Sequence, residues 1–177
     1  DIRLIISGSS ALELSSDINE PLTGRKIEMI LSGISFQEMC QHHGLVEEKR
    51  LLETRLIFGM YPEVITNPTR SEVLLRELTS GYLYKDVFNY QDIRKPELLH
   101  NLMEALARQV GSEVSYNELA QLLASDPATI GRYIDLLEKS MVVFRLRSFS
   151  RNLRNELKKS RKIYFYDLGV RNTIINN

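Results

Sequence analysis

SYNELAQLLASDPATIGRYIDLLEKSMVVFRLR, residues 115–147, reads as two short helices, a tight turn and a strand. Ser115 and Glu118 have capping-box spacing, and Val114 and Leu119 stand at the two ends of a hydrophobic staple. Asp126-Pro127 joins an N-cap to a proline at the first helical position, where its missing N–H is not needed. Ile130, Tyr133, Ile134 and Leu137 then repeat as one apolar stripe of a second helix. Met141 to Leu146 is apolar and partly β-branched, which predicts a strand. Together these signals predict a helix-turn-helix running into a wing.

Outward from this stretch, Pro96 to Val110 carries Leu98, Leu99, Leu102, Met103, Leu106 and Val110, the spacing of a first helix for the same domain. Lys162 to Tyr166 predicts a strand that pairs antiparallel with Met141–Leu146, and Asp167 to Asn172 begins a last short helix. The connection between the strands is basic. Positions 145–162 hold eight basic residues (Arg145, Arg147, Arg151, Arg154, Lys158, Lys159, Arg161, Lys162) and one acid, Glu156. The whole chain balances 23 Lys and Arg against 23 Asp and Glu, so its neutrality hides a local asymmetry.

Upstream, Ile2 to Ser7 is an apolar run ending in Gly8-Ser9-Ser10, as expected of a buried parallel strand. Ser10 and Glu13 have capping spacing for a helix from Ala11 to Ser16, and Lys26 to Leu31 reads as a second strand. Strand, helix, strand within some 30 residues is a βαβ unit, and a parallel sheet needs cover on both faces. The chain starts at Asp1 inside what reads as a strand, so the expectation is a piece of a longer protein, with further strands before Asp1. From Ser35 the pattern turns helical. Helices are expected over Ser35–His43, Glu47–Phe58 and Ser71–Asn89, with a Gly59-Met60-Tyr61-Pro62-Glu63 turn and a break at Asn67-Pro68.

In 177 residues there is room for one or two cores. No run approaches the about 18 apolar residues of a membrane helix, no signal peptide is visible, and the single cysteine, Cys40, fits a reducing compartment. The expected location is cytoplasmic. Cys40, His42 and His43 lack the further ligands zinc needs, so no metal site is expected. No GxxxxGK[ST] phosphate loop occurs, which excludes ATP binding in the P-loop manner by this chain alone.

Two serines at the carboxyl end of a parallel strand, Ser9 and Ser10, suit contact with a nucleotide phosphate; equally, Ser10 caps the next helix. Arg25, at the amino end of the second strand, suits an arginine offered to a neighbouring subunit's phosphate, or an ion pair with Glu20 or Glu28. For nucleic acid, the candidate contacts are Arg132 on the second helix of the helix-turn-helix and Arg145, Arg147, Arg151, Arg154, Lys158, Lys159 and Arg161 on the wing. Ala128, Thr129 and Arg132 would stand nearest the bases, but Asp126, Asp135 and Glu138 on that helix repel phosphate.

The order of short motifs also carries a family resemblance. GSSALEL (8–14), LTGR (22–25), Leu31 to Glu38, YPEV (61–64), LRE (75–77), YLYKD (82–86), the winged helix and YFYDLGVRN (164–172) together resemble the prokaryotic AAA+-type P-loop ATPases with a C-terminal domain of unknown function. The likeness covers nearly the whole chain; one departure is Met60, where such proteins often have a second glycine. The resemblance implies an α+β, mainly helical chain. Residues 1–35 would end a parallel ATPase sheet, 36–95 would be a helical lid, 96–166 a winged helix, and 167–177 the start of a C-terminal, nuclease-like region. It implies that Walker A and B motifs, ATP and Mg belong to a segment before Asp1, and that Ser9 or Ser10 is a sensor near the γ-phosphate. It also implies a trans or switch role for Arg25 and a homo-oligomer. Two other functions fit the residues: a DNA-binding transcription regulator, and an interaction scaffold with no nucleotide role.

Overall fold

The computed structural model describes residues 5, 27, 29, 31–83, 93, 95–146 and 161–176. Most of the expected βαβ unit, with Ser9, Ser10 and Arg25, lies outside the described residues, as does the connection 147–160; the unit's described residues Ile5, Ile27, Met29 and Leu31 are exposed and in no strand. What is described is mainly helical, with one small antiparallel sheet.

Helix α1 (Phe36–His43) starts where expected. The Ser35 hydroxyl accepts the Glu38 N–H, and the Glu38 carboxylate accepts the Ser35 N–H at 2.8 Å, a reciprocal capping box. The single helix expected over Glu47–Phe58 starts earlier and is bent into α2 (Leu45–Arg50) and α3 (Leu52–Phe58). Leu51 at the joint has ψ near 0°, yet the ladder continues through it, since Leu51 N–H donates to Glu47 O and Arg55 N–H to Leu51 O. The Tyr61-Pro62 turn becomes a short helix, α4 (Pro62–Thr66), with proline at its first turn. Helix α5 (Ser71–Glu77) then widens into a π-helical stretch, Leu78–Leu83, rather than continuing regularly as expected. The Thr79 and Ser80 hydroxyls donate back to Leu75 O and Arg76 O at that place, competing with the backbone ladder.

The segment expected to be a winged helix contains α6 (Pro96–Arg108), α7 (Tyr116–Leu122), α8 (Pro127–Lys139) and three strands, in the order helix, strand, helix, helix, strand, strand. Asp126 caps α8 through the Thr129 N–H at 2.8 Å. Both α7 and α8 end in the same way. Ser125 N–H reaches back to Ala120 O and Val142 N–H to Leu137 O, with Ala124 and Met141 left-handed between them. This is the Schellman pattern, adopted without glycine. The strands are β1 (Glu113–Val114), β2 (Val143–Leu146) and β3 (Arg161–Phe165), in the order β1-β3-β2, both pairings antiparallel. The two-residue β1 is too short to leave a periodic signal.

The last helix, α9 (Leu168–Ile174), does not stand apart. Val170 and Ile174 join one apolar cluster that runs from Val64, Leu74 and Leu75 through Leu99 and Leu102 to Ile130, Ile134, Val143 and Ile163. The sequence boundaries at 95/96 and 166/167 therefore cut through continuous packing. Burying that many aliphatic side chains at about 1.5–3 kcal/mol each is what holds the helical segment and the winged helix as one piece.

Candidate functional site

Three polar arrangements stand out of this apolar frame. The first is the junction of α9 with the turn after α3. Asp167 caps α9 by accepting the Val170 N–H at 3.0 Å, and its other oxygen accepts the Met60 N–H at 2.7 Å across 107 positions of sequence. Gly59 makes this approach feasible. It has φ of 73°, and a Cβ there would lie 2.1 Å from the Asp167 carboxylate. Burial raises the Asp167 pKa, outweighing the N–H groups of Met60, Val170 and Gly169 that favour its charged form. Burial, and then the Asp167 charge, also push up the neighbouring Tyr61 phenol. One turn further, Asn172 donates to Leu56 O and Ile57 O at the end of α3, while Arg171 donates to Ala107 O at the end of α6. Adjacent residues of α9 thus hold the helical segment on one side and the winged helix on the other. YPEV and YFYDLGVRN, far apart in sequence, meet here.

The second arrangement is a closed ion cluster, unforeseen from sequence. Glu48 on α2 is fully buried and binds His43 Nε2 at 2.7 Å and Arg55 Nε at 2.9 Å. Burial pushes the Glu48 pKa up, but Arg55 and His43 outweigh it, and the net direction is down. His42 meets His43 edge-on at 5.7 Å. Among the described residues no group of three or more His, Cys, Asp or Glu could hold a metal ion.

The third is the wing. Arg145, proposed from sequence as a phosphate contact, is turned onto α8. Its guanidinium binds Glu138 and lies 2.6 Å from Asp135 and 3.3 Å from the Tyr116 hydroxyl. Burial works against its charge, but Glu138, Tyr116 and Asp135 outweigh that and raise its pKa. Burial likewise pulls the Glu138 pKa up, and the bonds from Arg145 outweigh it and lower it. Arg145 therefore neutralises the acids of α8 instead of facing solvent. Arg132 is exposed and donates to Thr129 Oγ1 at 3.0 Å. Arg161 is half-buried at the start of β3. Arg147, Arg151, Arg154, Lys158 and Lys159 lie outside the described residues.

No helix among the described residues is long and apolar enough to cross a membrane. Residues 49–177 match the family described as Domain of unknown function (DUF8612). An uncharacterized protein of Haemophilus influenzae is 24% identical over 95% of this chain and 44% of its own length. An uncharacterized protein of Methanocaldococcus jannaschii is 26% identical over 84% of this chain and 38% of its own. The chain thus spans less than half the length of these relatives. No solved structure matches it. The chain belongs to the DUF8612 family.

Proposed function

We propose that this member of the DUF8612 family is the C-terminal part of an AAA+-type P-loop ATPase. In this reading a helical lid and a winged helix couple ATP binding and hydrolysis to a nucleic-acid or protein partner. The observation that carries the coupling is α9. Its Asn172 and the Asp167 that caps it hold the end of α3 and the Gly59-Met60 turn, and its Arg171 holds the end of α6. A shift of the helical segment on nucleotide binding would move the winged helix with it, because packed interfaces pass on displacement instead of absorbing it.

Two further observations support the reading. Ile5, Ile27, Met29 and Leu31 are 86–94% exposed, large apolar side chains that an adjoining sheet would cover. The relatives are more than twice the matched length, which leaves room for ATP- and Mg-binding motifs in a longer protein. Within that protein Ser9 or Ser10 would sense the γ-phosphate, and Arg25 would reach a neighbouring subunit's nucleotide in a homo-oligomer.

The test is steady-state ATP turnover and nucleotide affinity of the longer protein, with and without Arg25→Ala. Turnover should fall far more than affinity. A preceding sequence without GxxxxGK[ST], or a longer protein with no ATPase activity, refutes the proposal.

A further inference from the structure

The helical run from Leu45 to Phe58 has two sides. On the inner side Glu48 and Arg55 meet in the ion cluster, Leu51 is half-buried, and Gly59 at the end lies against Asp167. The backbone ladder continues through Leu51, so the outer side is continuous as well. On it Leu45, Val46, Leu52, Leu56 and Ile57 are 43–75% exposed. Single exposed aliphatics are ordinary on a protein surface, but five on one run of about 18 Å make a patch. Lys49 and Glu53 stand in the middle of it, three or four positions from these aliphatics and so their neighbours on the helix. Both are exposed, and neither side chain has an ion pair or hydrogen bond among the described residues.

The order of these residues is symmetric about Leu51. Leu45 and Ile57 are equally far from it, as are Val46 and Leu56, and Lys49 and Glu53. A patch that reads the same in both directions, with its charges of opposite sign, is complementary to itself. Such a patch suits an isologous contact, in which the same residues serve on both sides of a two-fold axis. With the axis at the level of Leu51, an antiparallel second copy sets Leu45 against Ile57 and Val46 against Leu56. Lys49 of each copy then meets Glu53 of the other, and Leu52 lies beside the axis. A parallel pair would set Lys49 against Lys49 and Glu53 against Glu53, which repel.

We infer that the outer side of α2 and α3 is the contact of a two-fold, antiparallel homodimer. This gives the homo-oligomer of the proposed function a second contact and needs no nucleotide. One helix pair of this length falls in the interface class below about 1,200 Å², so the dimer is weak and concentration-dependent. A dimer of this register in a protein whose longer form fails to hydrolyse ATP would sink the ATPase reading alone. ATPase activity with this face unpaired would sink this inference alone.

The experiment is sedimentation velocity of the chain without nucleotide over a wide range of concentration. The parent should shift from monomer to dimer. Lys49→Glu and Glu53→Lys each replace two attractive contacts by repulsive ones, and each should weaken the dimer by about tenfold. The double variant Lys49→Glu/Glu53→Lys should restore it, as should mixing the two single variants. Val46→Asp places a charge in the aliphatic contact and should leave a monomer. All three positions are exposed, so the fold should tolerate the changes, and thermal unfolding checks this. A parent that stays monomeric throughout overturns the inference, as does a dimer that a folded Val46→Asp leaves intact. Single reversals whose loss the double variant does not restore overturn it too. Protection of the Leu45–Ile57 side chains from covalent labelling in a monomeric longer protein would give the face to another segment of that protein, and would equally overturn it.

Discussion

Removing the Asp167 carboxylate takes two acceptors from the junction of α9 with α3. Asp167→Ala loses the cap of α9, about 1 kcal/mol, and leaves the half-buried Met60 N–H without its partner, about 1–3 kcal/mol more. The sum is about 2–4 kcal/mol. For a chain of this length that is a fall of roughly 4–16 °C in Tm. Asp167→Asn separates the two contributions. Its amide oxygen still caps α9, but its NH2 group faces the Met60 N–H, so about 1–3 kcal/mol should be lost. Urea unfolding followed by circular dichroism measures both variants. The pH dependence adds a sign. Burial raises the Asp167 pKa in the folded state above 3.8, so the native protein holds that proton more tightly. The stability this contributes is present below the unfolded value and is lost as pH rises through the folded value. Stability of the parent relative to Asp167→Asn should therefore fall as pH rises through that window. If Asp167→Ala stays within about 0.5 kcal/mol of the parent, the junction does not hold α9, and α9 cannot couple the helical segment to the winged helix.

Gly169→Ala should destabilise by about 1–3 kcal/mol or more, because a Cβ there would lie 2.2 Å from Phe58 O and α9 would have to retreat; differential scanning calorimetry measures it. Arg145→Ala strands Glu138 and Asp135 on α8; with this cluster partly exposed, a loss of about 1–3 kcal/mol in denaturant titration is expected, smaller at high salt. Glu48 acts oppositely to Asp167. Its folded pKa is lowered from 4.5, so its stabilisation is present above that value and lost as pH falls below it, and Glu48→Gln should flatten the acid limb of the urea midpoint against pH. Joint reversal of Arg151, Arg154, Lys158 and Lys159 to glutamate should abolish a weak, salt-sensitive binding of duplex DNA; unchanged duplex affinity in that variant would exclude the connection as the contact.

Much of the helical order was legible because its signals are local. The Ser35 box, the Asp126-Pro127 start and the stripe through Ile130, Tyr133, Ile134 and Leu137 need only neighbouring residues, and each appears where expected. The boundaries that slipped have local causes with no strong residue signature. Leu51 bends a helix without glycine or proline, and the back-bonding of Thr79 and Ser80 accompanies a π-helical widening. The ion cluster was only partly legible, because Glu48 and Arg55 stand seven apart on one expected helix face, whereas His43 lies on the preceding helix and joins them only after Gly44 turns the chain.

Sequence by itself determined the capped helices α6, α7 and α8, the antiparallel pairing of the two longer strands and the basic content of the stretch between them, since capping, period and charge are properties of short segments. Tertiary structure alone decided the use of those residues. It turned Arg145 inward onto Glu138 and Asp135, because a cation beside partly buried acids is held there instead of in water. It left Phe144, Tyr164 and Tyr166 on the outer face, because strand register gave the inner one to Val143, Ile163 and Phe165. It also brought Asp167 to Met60 across the chain, a contact that no local pattern encodes.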